Sequence, residues 1–226
     1  MINYQYTYLF GSLLHLLFWL FLYFFRKDTR KEMFFASILV GLLNPFAQYL
    51  WWTVDWWHPE TITGTRVGIE DFIVGFAGGG IASVIYEDFY RKRFSKKPNG
   101  SKGVSLLLNI TGLLVLTAVL FYIFDFSSFI SLSLSLLVFG FIINFYRKDL
   151  IRDSIYSGLF MTLTILPVYF FMIYISPGWV EVTYDSGLTG IRPLGIPIEE
   201  LIFYFLFGFY VGPIYEYWKG KKLVKV

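Results

Sequence analysis

Residues 68–87 read GIEDFIVGFAGGGIASVIYE, and residues 197–216 read PIEELIFYFLFGFYVGPIYE. Aligned without gaps, eight of the twenty positions are identical, from the Ile-Glu pair through Gly79/Gly208 to the closing Ile-Tyr-Glu. Thr63-Gly64-x-Arg66 precedes the first copy and Thr189-Gly190-x-Arg192 the second; further upstream, Phe-Arg-Lys-Asp at 25–28 returns as Tyr-Arg-Lys-Asp at 146–149. Each copy is an apolar segment of membrane-spanning length with two carboxylates at its mouth. Carboxylates in such a place are costly to bury, so their duplication points to a function.

Composition sets the class. The chain is 56% hydrophobic and 22% aromatic, with a mean hydropathy of +0.59, values foreign to a soluble domain of 226 residues. Seven apolar stretches of about 20 residues, the length needed to cross a bilayer core, fall at Tyr4–Phe25, Met33–Trp52, Gly68–Tyr86, Val104–Phe124, Ser127–Tyr146, Ser154–Ile175 and Gly195–Tyr217. The first lacks a preceding basic residue and a following small-x-small site, so it reads as a span rather than a cleaved signal. The predicted class is an all-α integral membrane protein, multi-pass in the cell membrane.

Loop charges predict the orientation. With the N-terminus outside and the C-terminus inside, segments 26–32, 87–103, 147–153 and 216–226 face inward and carry 17 of the 19 Lys and Arg. Only Arg66 and Arg192 fall outside, so the net charge of +3 reflects topology and not nucleic-acid binding. The basic stretch from Arg91 to Lys102 reads as a solvated inner loop. Three spans reverse direction, so two three-span units become parallel only if an odd span separates them. The expected plan is 3 + 1 + 3 in a single membrane domain: a first repeat over 1–90, a linker helix at 104–124, and a second repeat over 127–218.

The chemistry concentrates in the acid pairs. Pro197 suits a helix start, where its missing N–H has no role, and Glu199 and Glu200 follow in the first turn. Alone, such a pair reads as helix capping and dipole complementation. Its recurrence as Glu70 and Asp71 argues for more, because adjacent helical residues lie about 100° apart and cannot both face bulk water. Arg66 and Arg192 stand close upstream as expected partners. Two pairs can divide acid and base roles, and the supply of Tyr, Trp and Phe suits a carbocation or a polyene. Trp51, Trp52, Trp56, Trp57 and Trp179 read mainly as an interfacial belt.

The remaining polar residues carry less. Glu87 and Glu216, which close the repeats, read as structural. His15 reads as a packing residue, Pro45 and Pro167 as kinks, and the glycines at 75 and 78–80 as helix-packing positions. With no cysteine and two histidines, no Cys- or His-based metal site is visible. A 3 + 1 + 3 repeat also admits a membrane transporter or a non-catalytic polyene-binding protein.

The segment from Gly195 to Tyr204 resembles the Pro-x-Glu-Glu motif of the membrane-embedded lycopene cyclase domain of archaeal, actinobacterial and fungal carotenoid pathways. The duplicated layout, with Trp179, Tyr184 and Arg192 upstream, resembles the same family over nearly the whole chain. The first copy departs from the pattern by carrying Gly68 where proline is expected. The resemblance implies acid-initiated, non-redox cyclisation of lycopene or a related linear carotenoid, drawn from the lipid, to β or ε rings. It implies no cofactor. It places proton handling on Glu199, Glu200, Glu70 and Asp71, supported by Arg192, Arg66, Trp179, Tyr184 and Pro197; the oligomeric state stays open.

Overall fold

The computed structural model describes residues 4–90, 92–94, 105–184, 189–221 and 223–225. Seven principal helices form it: α1 (Tyr4–Phe25), α2 (Arg30–Ala47), α3 (Ile69–Tyr90), α4 (Leu106–Tyr122), α5 (Ser128–Tyr146), α6 (Ile151–Ile175) and α7 (Ile198–Val211). After Gly212 and Pro213, α7 resumes as a short helix, Ile214–Lys219. Counted with their continuations, six of the seven are long and apolar enough to span a membrane. The linker helix α4 has 17 residues, about 25 Å at the helical rise. It is shorter than the stretch 104–124 expected from hydropathy, because Ser105 caps its start by accepting from the Leu108 amide at 3.2 Å.

The repeats pack alike. In the first, α3 lies against α2 and α1; in the second, α7 lies against α6 and α5. The duplicated glycines explain the closeness of both crossings. A Cβ on Gly79 would stand 2.8 Å from the Ala36 carbonyl oxygen of α2, and one on Gly208 would stand 2.5 Å from the Ser157 carbonyl oxygen of α6. Ala36 and Ser157 hold matching places relative to the two Arg-Lys-Asp motifs, so the same backbone contact was built twice. Helices α3 and α7 are the most buried of the spans, and α3 also touches α6 and α7, joining the halves. Outward positions such as Leu17, Phe21, Phe46, Leu107, Phe145 and Leu163 leave an apolar surface.

Three departures from the sequence expectation have physical causes. Pro45, inside α2, has no N–H for the ladder, and three residues on the helix widens into a π turn, Gln48–Trp52, before ending at Asp55. Trp51 and Trp52 stand seven and eleven positions beyond the buried Asn44 and Gly41, on the inward face of the helix, and are buried with Trp56 and Trp179 rather than forming a lipid-facing belt. In the basic stretch after α3, strand β1 (Lys92–Phe94) pairs antiparallel with β2 (Leu223–Lys225), tying the segment to the C-terminal one. The rest of that stretch, residue 91 and 95–102, lies outside the described residues.

Candidate functional site

The acid pairs open α3 and α7 at the same end of the bundle, and in both the first and second carboxylates do different things. Glu199 Oε1 accepts from the Thr189 amide at 2.8 Å and the Thr189 hydroxyl at 2.6 Å. Glu70 Oε1 accepts from the Ile62 amide at 2.6 Å. Each first carboxylate therefore ties down the loop that carries its Thr-Gly-x-Arg motif. The second carboxylate of each pair turns toward the interior, as the 100° step between neighbours requires.

Asp71 Oδ1 accepts from the Tyr8 hydroxyl at 2.8 Å, and Asp71 Oδ2 from the Gly68 amide at 2.7 Å. The second bond excludes proline at 68, which has no N–H to give, and a Cβ there would collide with the Glu70 carboxylate and Thr61. Pro197 lies just before the first residue of α7, and its carbonyl accepts from the Glu200 amide at 3.1 Å. The Glu200 carboxyl lies beside the hydroxyls of Tyr169 and Tyr184, which bond each other. Tyr184 lies outside the spans; burial, followed by the nearby Glu200 charge, raises its phenol well above the usual 10.

Glu200 opens on a narrow cavity of about 60 Å³ between the two repeats. Its walls include Tyr8, His15, Gln48, Trp52, Trp56, Phe203 and Tyr204. The rings pack edge to face: Trp52 on Phe203 at 5.6 Å, Trp56 on Phe203 at 5.4 Å, and Tyr8 on Trp57 at 5.0 Å between centroids. The Trp57 ring stacks on Tyr184 at 5.9 Å, and the His58 amide donates to the Thr183 carbonyl at 2.6 Å. The loops of the two repeats thus close the cavity together. Such a chamber presents one carboxyl, several phenols and the faces of large rings, a surface that can protonate an apolar ligand and stabilise a positive charge upon it.

A larger apolar groove, about 730 Å³, runs along the outside of the bundle between α1 and α6. Leu17, Phe21, Leu163 and Pro167 line it, and Val168 belongs to both groove and cavity.

The structure sorts the residues singled out from the sequence. Glu200, Trp179 and Tyr184 come together at the cavity, and Asp71 reaches it through Tyr8. Glu70 and Glu199 hold loops. Neither arginine pairs with the acids. Arg66 donates to the Thr53 hydroxyl at 2.6 Å and lies over the Tyr49 ring, while Arg192 pairs with Glu181 at 3.3 Å on the surface. The Ile62 and Thr189 amides and the Thr189 hydroxyl take up Glu70 Oε1 and Glu199 Oε1, while Glu70 Oε2 is buried without a donor among the described residues. Tyr8, His15 and Tyr169 were not foreseen as site residues. A signal existed: Tyr8, Ser12, His15 and Trp19 recur at spacings of four, three and four, a polar stripe along one face of an apolar helix.

Comparison with known proteins gives one match. A family model described as lycopene cyclase covers residues 5–89 and 127–218, one region for each repeat, with the linker helix between them. No curated protein and no solved structure matches the chain.

Proposed function

The chain belongs to the lycopene cyclase family, and we propose that it closes six-membered rings at the ends of lycopene or a related linear carotenoid, with Glu200 as the proton donor. The observation that carries this reading is a buried carboxyl, beside two tyrosine hydroxyls, facing an aromatic chamber next to an outward-facing apolar groove. In the proposed topology the seven helices span as 3 + 1 + 3, the acid pairs lie toward the outer face, and the basic segments lie inside.

The substrate slides from the bilayer into the groove between α1 and α6, and one end enters the chamber past Val168. Glu200 gives its proton to the terminal double bond. The tertiary cation that results sits against the faces of Trp52, Trp56 and Phe203, where the ring quadrupoles favour it. The neighbouring internal double bond supplies its electron pair to the cation and closes the ring, leaving a new tertiary cation. The Tyr8 oxygen takes a proton from the ring while its own passes to Asp71 Oδ1, and loss of that proton restores a double bond. One proton enters and one leaves, so the product is an isomer of the substrate. Which ring proton lies nearest Tyr8 decides between the β and ε ring.

Expression in lycopene-accumulating bacteria, with pigments resolved by chromatography, tests the assignment. Cyclic products from the wild-type chain, and lycopene alone from membrane-inserted Glu200→Gln, are expected. Cyclic products at the wild-type level from Glu200→Gln would remove Glu200 from the role. Unchanged lycopene with the wild-type chain in the membrane would favour a polyene-binding protein.

A further inference from the structure

At the end of α3 and α7 away from the chamber, the repeats bring a second set of carboxylates together. Glu87 lies 17 positions beyond Glu70, about 25 Å along the helix. Oxygens of Glu32, Glu87 and Glu216 all lie within 4.8 Å of one another, and the three residues are 1%, 1% and 0% exposed. Asp153, also buried, adjoins them and interacts with Glu87 and Glu216. Glu32 and Asp153 stand at equivalent places after the two Arg-Lys-Asp motifs, as Glu87 and Glu216 do at the ends of the repeats. The cluster is thus one pair of carboxylates, delivered twice.

The surrounding groups leave these oxygens unanswered. Among the described residues, no N–H or hydroxyl donor reaches either side-chain oxygen of Glu32, Glu87 or Glu216. The Glu87 and Glu216 carboxyls lie side by side in the cluster. The two nearby arginines are turned to other acceptors in the same way in both repeats. Arg26 bonds the Glu87 main-chain oxygen at 2.6 Å and the Asp28 carboxylate, and it meets Asp88 at 3.5 Å. Arg147 bonds the Glu216 main-chain oxygen at 3.1 Å and the Asp149 carboxylate at 2.9 Å. Asp153 Oδ1 accepts from Ser157 at 3.0 Å, and its Oδ2 has no donor among the described residues. Lys221 acts on Glu32 and Arg26 on Glu87, yet neither places a donor on a side-chain oxygen of the three glutamates. Buried carboxylates need compensation, and a set of oxygens at this spacing matches the ligand shell of a hard divalent cation.

We propose that Glu32, Glu87 and Glu216, with Asp153 beside them, bind one Mg2+ or Ca2+ ion that clamps the ends of the two repeats together. The cation joins the start of α2 to the end of α3 and to the first turn of the short helix after α7, so it fixes the crossing of the halves without touching the chamber. Oxygen-only ligands exclude a preference for soft metals. The competing arrangement for the same residues is a proton shared between Glu87 and Glu216.

The test uses the full chain, purified in detergent, stripped with EDTA and desalted. Mn2+ serves as the spectroscopic probe, with free ion counted by paramagnetic resonance. Thermal unfolding is followed with Mg2+ or Ca2+ added. Saturable binding of one Mn2+ per chain, displaced by Mg2+ or Ca2+, and a higher melting temperature with either ion are expected; the stronger competitor identifies the preferred one. Glu87→Gln and Glu216→Gln raise the half-saturating concentration at least roughly tenfold, whereas Glu199→Gln leaves it unchanged. Absence of bound Mn2+, with a melting temperature indifferent to both ions, overturns the proposal and supports the shared proton. Binding that persists unaltered in the two variants also overturns it. Should the variants not fold, the wild-type titration alone decides.

Discussion

Replacing each glutamate of the second pair by glutamine separates the two roles that the geometry assigns. Glu199 and Glu200 are adjacent and undergo the same chemical change, so any difference belongs to their surroundings. Glu199 acts through one oxygen, which accepts from the Thr189 amide and hydroxyl at 2.8 and 2.6 Å. Glutamine keeps an oxygen there, and Glu199→Gln costs only the charge-assisted part of two hydrogen bonds, about 1–3 kcal/mol. Thr189 is exposed, so water replaces some of that loss and the lower half of the range is expected. Cyclisation then continues in Glu199→Gln, with a lowered melting temperature. Glu200 faces the chamber, where a glutamine amide still meets the hydroxyls of Tyr169 and Tyr184 but has no proton to give. Loss of a positioned acid costs about 100- to 10,000-fold in rate. The assay is a rate of ring formation on lycopene in vesicles, with thermal unfolding measured in parallel. The reasoning is refuted if Glu199→Gln, still folded, loses as much rate as Glu200→Gln, or if Glu200→Gln stays within tenfold of wild type.

Other residues give sharper individual outcomes. Gly208→Ala sets a methyl group 2.5 Å from the Ser157 carbonyl oxygen, an overpacking worth about 1–3 kcal/mol; an unchanged melting temperature would contradict the shared helix crossing. Tyr8→Phe deletes the hydroxyl that bonds Asp71, and a rate of ring formation lower by roughly 10- to 100-fold is expected from a charge-assisted bond of about 1.5–3 kcal/mol. Retention of full rate in that variant would exclude Tyr8 from proton removal. Arg192→Ala breaks a surface pair with Glu181, worth about 0–1 kcal/mol, and leaves pigment production intact; its loss would mean that Arg192 serves the substrate directly.

Duplication made most of the fold legible in the sequence. Hydropathy delimits the spans, and the recurring Ile-Glu, glycine and Ile-Tyr-Glu positions identify the helices that sit at the centre. What the repeat could not reveal is where the copies differ. The Asp71 carboxyl is met by Tyr8 of α1, whereas Glu200 is met by Tyr169 of α6 and Tyr184 of the following loop. These partners come from segments with little sequence likeness between copies, so alignment of the copies does not expose them. Adjacent glutamates carry no mark of which faces inward; that depends on the turn at which α7 begins. The arginines were misread because sequence proximity to a carboxylate ignores the loop amides that arrive first. The tryptophans were misread because they were judged by composition as an aromatic cluster at a span end, whereas Trp51 and Trp52 continue the buried face of Asn44 and Gly41.

The cluster of Glu32, Glu87 and Glu216 was legible in part. Both closing glutamates were visible as duplicated residues, yet Glu32 lies 55 positions from Glu87, and only the packing of α2 on α3 brings them together. A carboxylate-only cluster also escapes any search built on cysteine and histidine spacing.

The most direct measurement is deuterium incorporation during turnover. The purified chain is reconstituted in vesicles with lycopene in heavy water, and the cyclic product is examined by mass spectrometry. If a protein carboxyl starts the reaction, each new ring carries one deuterium from the exchangeable acid, and Glu200→Gln gives no labelled ring. Rings free of deuterium, or labelled rings formed at the wild-type rate by Glu200→Gln, would contradict protonation by Glu200.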